Sequence, residues 1–259
     1  MSSTDEIVES LTRIYQLFIE IDYISESVLK VAPHGPEELD TDLCRQLGMA
    51  DSAIFFLESI PWASAGCGDL IKDSEMIDFS EPHCLMAARD PMAARNIHHQ
   101  GLAAGNQTSR EGLDGAMLSL TFCGQTGHAL VVDTVRGTIR KWDGSDRLLD
   151  AEERDASAVL DEIYHGYLSL AEIPYELDIL QPTQHLVYGI LDEPAEYVTD
   201  TRYVLVKSAA MDHGWPDSFS KEDFKRTAAR WLQIMGGNDS SSDDSISFEN
   251  DEELPNGIF

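Results

Sequence analysis

The chain has 259 residues, enough for one large core or two small ones. Its 18 Lys and Arg against 47 Asp and Glu give a net charge of −29, which repels phosphate backbones and anionic headgroups and argues against nucleic-acid and membrane binding. The same charge would steer a basic protein partner towards it, and no run approaches the ~18 apolar residues that span a bilayer.

The N-terminal run "MSSTDEIVESLTRIYQLF" carries Asp5, Glu6 and Glu9 where a secretory signal would carry positive charge. Ile7, Leu11, Ile14, Phe18 and Ile21 recur at spacings of four and three, the stripe of an amphipathic helix capped by Ser3 or Thr4. "APHGPEELDTDLC" breaks the pattern. "TDLCRQLGM" and "DSAIFFLESIPW" then read as two short helices, the second capped by Asp51 or Ser52 and stopped at Ile60-Pro61. From Ala63 to about Gly115, glycines, prolines and the polar run "GNQTSREGLDG" suggest a loop-rich insertion with one short helix.

"AMLSLTFC" and "GHALVVD" are rich in strand formers, and Asp133 to Thr138 reads as a hairpin turn in which Gly137 supplies positive φ. "DASAVLDEIYHGYLSLAEIP" places Val159, Ile163, Tyr167 and Leu170 on one helical face, ending near Pro174. The runs "HLVYGI" and "YVLVKS" fit either strands or the start of a helix.

A last helix begins near Ser220, presents Phe224, Ala228, Trp231 and Met235 on one stripe, and stops at Gly236-Gly237. Before it, "HGWPDSFSKEDF" reads as a clasp. Ser220 and Asp223 form a capping box, Phe219 and Phe224 a hydrophobic staple, and Trp215 an aromatic anchor. The final segment, 238–259, has seven acids, no base and interleaved serines, a composition expected to stay disordered.

The four cysteines, Cys44, Cys67, Cys84 and Cys123, form no CxxC pair and read as separate, mostly buried thiols in a reducing compartment. A cytoplasmic or nuclear protein is therefore expected. Cys67, His83, Cys84, His98 and His99 fall in the loop-rich stretch, but the adjacent pairs diverge in direction and do not suit a metal site. No metal or other cofactor is expected. Cys67 between two glycines could be a nucleophile with His83 or His128 as base, although no nucleophile motif surrounds it. Asp133, ending a strand at a turn, more simply bonds nearby backbone N–H groups.

The run "DLCRQLGMADSAIFFLESIPW", the pair "GHALVVDTVRGTIRKWD", the helix "ASAVLDEIYHGYLSLAEIP" and "HGWPDSFSKEDF" together resemble a group of uncharacterised filamentous-fungal proteins over about Asp42 to Met235. More distantly, Leu47-Gly48, Asp133, Trp142 and the helix around Ile163 are similar to the SUKH superfamily, which includes fungal cell-wall-synthesis regulators and bacterial toxin-immunity proteins. The chain departs from that pattern in lacking Leu-Pro before the second helix. The resemblance implies an α+β domain that binds other proteins and catalyses nothing.

The expected architecture is an α+β domain over 1–237 with a mainly antiparallel central sheet flanked by helices, followed by the acidic tail. The expected function is a non-catalytic interaction or regulatory module of a fungal cell, with Asp133, Trp142 and Trp215 as binding residues. The alternative is a small-molecule hydrolase or transferase acting through Cys67 and His83 within residues 63–115.

Overall fold

The stripe Ile7, Leu11, Ile14 and Phe18 lies along α1 (Ser3–Glu20), with Ile21 just beyond, and all five side chains are buried. The computed structural model describes residues 3–64, 66–90, 113–124, 127–145, 147–176, 188–192 and 201–236. The acidic tail, His98 and His99 lie outside these. Helix α1 already includes Ser3 and Thr4, so neither is the residue that precedes it, as the sequence had suggested.

Helix α2 (Thr41–Gln46) is capped by Asp40, whose carboxylate accepts the Leu43 N–H at 2.8 Å. Helix α3 (Asp51–Ser59) has Ala50, not Asp51 or Ser52, at its cap. Two tertiary contacts replace the side-chain cap: the Ala50 N–H donates to Gly115 O at 2.7 Å, and the Ser52 hydroxyl meets that of Thr134 at 3.0 Å. Asp51 sits in the first turn, where its charge complements the helix dipole. Extended backbone at Ile60 ends α3 as expected. Strand β1 (Leu29–Lys30) pairs with β2 (Trp62–Ala63), and His34 from the intervening loop stacks on Trp62 with ring centroids 3.5 Å apart.

The stretch 63–115 contains the one short helix expected, α4 (Pro82–Arg89), within its described part. It also contains a hairpin that the sequence reading missed, β3 (Asp69–Ile71) with β4 (Ser74–Glu75). Arg89, at the end of α4, donates to the carbonyls of Leu113 at 2.6 Å and Asp114 at 2.9 Å, and to that of Met117. It thereby pins the chain where it enters the main sheet.

That sheet has four antiparallel strands in sequence order: β5 (Met117–Ser119), β6 (Ala129–Asp133), β7 (Thr138–Trp142) and β8 (Glu153–Asp155). The β6–β7 hairpin closes at the Asp133–Thr138 pair with Gly137 at φ 67°, as expected. Leu118, Leu130, Val132 and Ile139 on one face join the main core with α1 and α5 (Ala156–Leu168). Met117, Ala129, Val131 and Trp142 on the other form a second cluster against Leu113, Leu148 and Ala151.

Val159, Ile163, Tyr167 and Leu170 are buried as the periodicity implied, but α5 stops at Leu168 rather than near Pro174. Leu170 takes a left-handed φ of 57°, which turns the chain, and Pro174 lies in a strand, β9 (Glu172–Glu176), paired antiparallel with β10 (Tyr188–Asp192). The two ambiguous apolar runs resolve differently. The end of "HLVYGI" belongs to β10, whereas "YVLVKS" is inside helix α6 (Thr201–Asp212), with Tyr203 and Val206 buried. Helix α7 (Lys221–Gly236) buries Phe224 and Ala228 and packs Trp231 on the core. The fold is α+β, and among the described residues no helix is long and apolar enough to cross a membrane.

Candidate functional site

Trp215 follows Gly214, whose φ of 85° ends α6. Its backbone N–H returns to Ala210 O at 3.1 Å, and its indole N–H donates to Leu168 O at 2.9 Å. The ring, 5% exposed, meets Phe219 edge-on at 5.0 Å, and Phe219 meets Phe224 at 5.2 Å, so the expected staple is present. The capping box differs in detail. The Ser220 hydroxyl donates to the Asp223 carboxylate at 2.7 Å and helps hold that carboxyl below the usual range, while the Ser220 N–H goes to His213 O. The stretch joins α5, α6 and α7, and both polar and apolar parts of Trp215 are engaged within the chain.

Cys67 lies between Gly66 and Gly68, which have φ of 75° and 110°. Burial, then the charges of Asp78 and Glu75, raise its thiol pKa. His83 is exposed and turns to a different thiol: its Nε2 is 3.4 Å from Cys84 Sγ, and its Nδ1 is 3.9 Å from a Glu81 carboxylate oxygen. Burial and the Asp78 charge push the Cys84 thiol up to about 11. Burial and the Asp78 charge thus work against thiolate formation at Cys84, and among the described residues the ring contact of His83 to a thiol is with Cys84, not with Cys67.

Beside these thiols is a polar cluster the sequence reading did not identify. Asp78 is 3% exposed and accepts from Lys30 Nζ at 3.1 and 3.3 Å, from the Ser80 hydroxyl at 2.6 Å and from the Ser80 N–H at 3.0 Å. Burial alone would raise the Asp78 carboxyl, but the Ser80 and Lys30 bonds outweigh it and hold the carboxyl below its ordinary value. Ser80 donates its proton to Asp78 and so is not set up as a nucleophile, while Lys30 of β1 ties itself to Asp78, just ahead of α4. Among the described residues no three His, Cys, Asp or Glu side chains are grouped so that they could hold a metal ion.

Asp133 and Trp142 share the second face of the main sheet, at opposite ends of the β6–β7 hairpin. The Asp133 carboxylate accepts the N–H groups of Val135 and Arg136, both at 3.0 Å, and so shapes the turn. Trp142 is buried in the second cluster. Arg140, between them, donates to Ala151 O and to Glu153, holding the covering segment down.

The exposed surface beside this turn has a different composition. The Ser52–Thr134 bond sets the hairpin tip against the first turn of α3. Phe55, one turn along, is 61% exposed, and Val135, next to Thr134, is 68% exposed. Neither was singled out from the sequence. The available signal was that Ile54, Phe56 and Leu57 supply the buried side of α3, leaving Phe55 outside the stripe between Asp51 and Glu58.

The chain was compared with family models, curated proteins and solved structures, and none of them matches it.

Proposed function

We propose that this chain is a non-catalytic protein-interaction or regulatory module. The observation that carries this reading is the presentation of Phe55 and Val135 to solvent across the Ser52–Thr134 bond, on an acidic chain. Exposed apolar side chains on two elements bonded to each other, with Asp51 and Glu58 on the helix that carries Phe55, suit protein contact. The chemistry around Cys67 and Cys84 supports the same reading, because both thiols are shifted away from ionisation. The resemblance of Leu47-Gly48, Asp133 and Trp142 to the SUKH pattern also points towards binding.

The test combines affinity capture on the full chain with a thermal-shift screen of metabolites. A binary complex reconstituted from purified partner supports the module. A metabolite that stabilises the protein and is chemically converted, with no such complex, refutes it in favour of the small-molecule hydrolase or transferase.

A further inference from the structure

We infer that the surface formed by α3 and the β6–β7 turn is a docking site for a basic protein segment whose apolar side chain is flanked by Lys or Arg. This inference rests on the interaction-module reading and names its partner chemistry. Asp51, Phe55 and Glu58 follow one another at spacings of four and three, so they share one side of α3, with a carboxylate about one turn on either side of the ring. Helix α3 contains no basic residue. Asp114 is exposed beside it, since the next residue, Gly115, accepts the Ala50 N–H, but its charge is opposed by Arg89, so the carboxylates of the surface are Asp51 and Glu58. Arg136, the base in the neighbouring turn, is 3.7 Å from Asp133 and 3.4 Å from Glu153. Its charge is therefore compensated by one carboxylate of the hairpin and one of β8.

The surface is also held in shape before any partner arrives. Thr134 donates its N–H at 3.0 Å and its hydroxyl at 2.8 Å to Ala116 O, and its hydroxyl meets Ser52. Asp133 fixes the turn, and Arg89 fixes residues 113–117 behind it. A preorganised patch loses little freedom on binding. An aromatic ring between carboxylates selects an apolar residue between cations, through burial at the centre and charge complementarity at the rim. The net charge of −29 disfavours a second copy, a nucleic acid or an anionic lipid surface at the same place.

The probe is a fluorescein-labelled amphipathic Lys/Leu peptide, titrated into isotope-labelled full-length protein, with an all-Lys peptide of equal charge as comparison. Amide shifts should concentrate on α3 and on residues 134–137. Phe55→Ser should weaken the Lys/Leu peptide about tenfold with unchanged thermal unfolding. Asp51→Asn combined with Glu58→Gln should weaken it and flatten its salt dependence. Absence of binding, equal affinity for the all-Lys peptide, or affinity unchanged by Phe55→Ser would overturn the docking site. Shifts confined to another surface would also overturn it, while leaving the wider interaction reading standing.

Discussion

The indole N–H of Trp215 donates to the main-chain oxygen of Leu168 at 2.9 Å, tying the turn before α7 to the end of α5. Removing the ring leaves a cavity and an unpaired carbonyl. Trp215→Ala should cost about 3–5 kcal/mol and lower the melting temperature by on the order of 10 °C. Trp215→Phe keeps most of the packing and loses the bond, so about 1–3 kcal/mol is expected. Thermal and denaturant unfolding of both variants check the order. Equal effects would show that the hydrogen bond, not the ring, does the holding.

Gly127 passes so close to the β3–β4 turn that an added Cβ would lie 1.7 Å from Asp73 O, and its own N–H donates to the Asp73 carboxylate at 3.0 Å. Gly127→Ala must push backbone away from backbone and should cost about 3 kcal/mol. Gly48, at φ 76° with open space around it, offers the contrast: Gly48→Ala meets only left-handed strain, about 1–2 kcal/mol. Urea unfolding of the two variants distinguishes close approach from backbone strain.

The half-buried Asp69 and the buried Asp78 respond oppositely to pH. Burial, then Asp73 and Glu75, raise the Asp69 pKa from 3.8 to about 6. The fold therefore favours its protonated form, and that stability is present below 3.8 and lost as pH rises through about 6. Asp78 is held below 3.8, so its stabilisation is present above that value and lost as pH falls through its lowered pKa. Asp69→Asn should gain on the parent protein as pH rises from about 4 to about 6 and keep a level advantage above that. Asp78→Asn should be destabilised at about pH 7, with the gap narrowing below about pH 4. Melting temperatures across that range give both signs.

The thiols of Cys44 and Cys84 are pushed up to about 11, chiefly by burial, and Cys67 is shifted in the same direction. At about pH 7.5 a thiol with a pKa near 11 is ionised in roughly one molecule in a few thousand. Iodoacetamide should label these three slowly in the folded protein and readily after denaturation, as followed by peptide mass spectrometry. Rapid labelling of Cys67 in the folded state would restore it as a nucleophile.

Long periodic elements were legible in the sequence. The stripes of α1 and α5, the β6–β7 hairpin with Gly137, and the Phe219–Phe224 staple each repeat or combine several local signals. Strands β1 to β4 were not legible, because two or three residues cannot display alternation and their pairing is decided elsewhere in the chain. Ser52 failed as a cap for a similar reason: its hydroxyl meets a residue 82 positions away. Leu170 joined the buried face as its spacing implied, yet its left-handed backbone ended the helix early. Lys30 and Asp78 are 48 positions apart, and nothing local in either segment announces their bond. Phe55 reads as one more core aromatic until the orientation of α3 shows which side meets the interior.

The central claim is most directly tested by a photo-crosslinking amino acid placed at position 135 of the full chain in living cells. The same residue at position 149 serves as control, where Leu149 is 57% exposed against 68% for Val135 and belongs to the segment bonded to Arg140, not to the Ser52–Thr134 contact. The expected result is a discrete protein adduct from position 135 alone, mapped to a partner peptide with an apolar residue flanked by Lys or Arg, and lost with Phe55→Ser. No adduct at position 135, or the same adducts from both positions, would contradict an interaction module that docks through this surface.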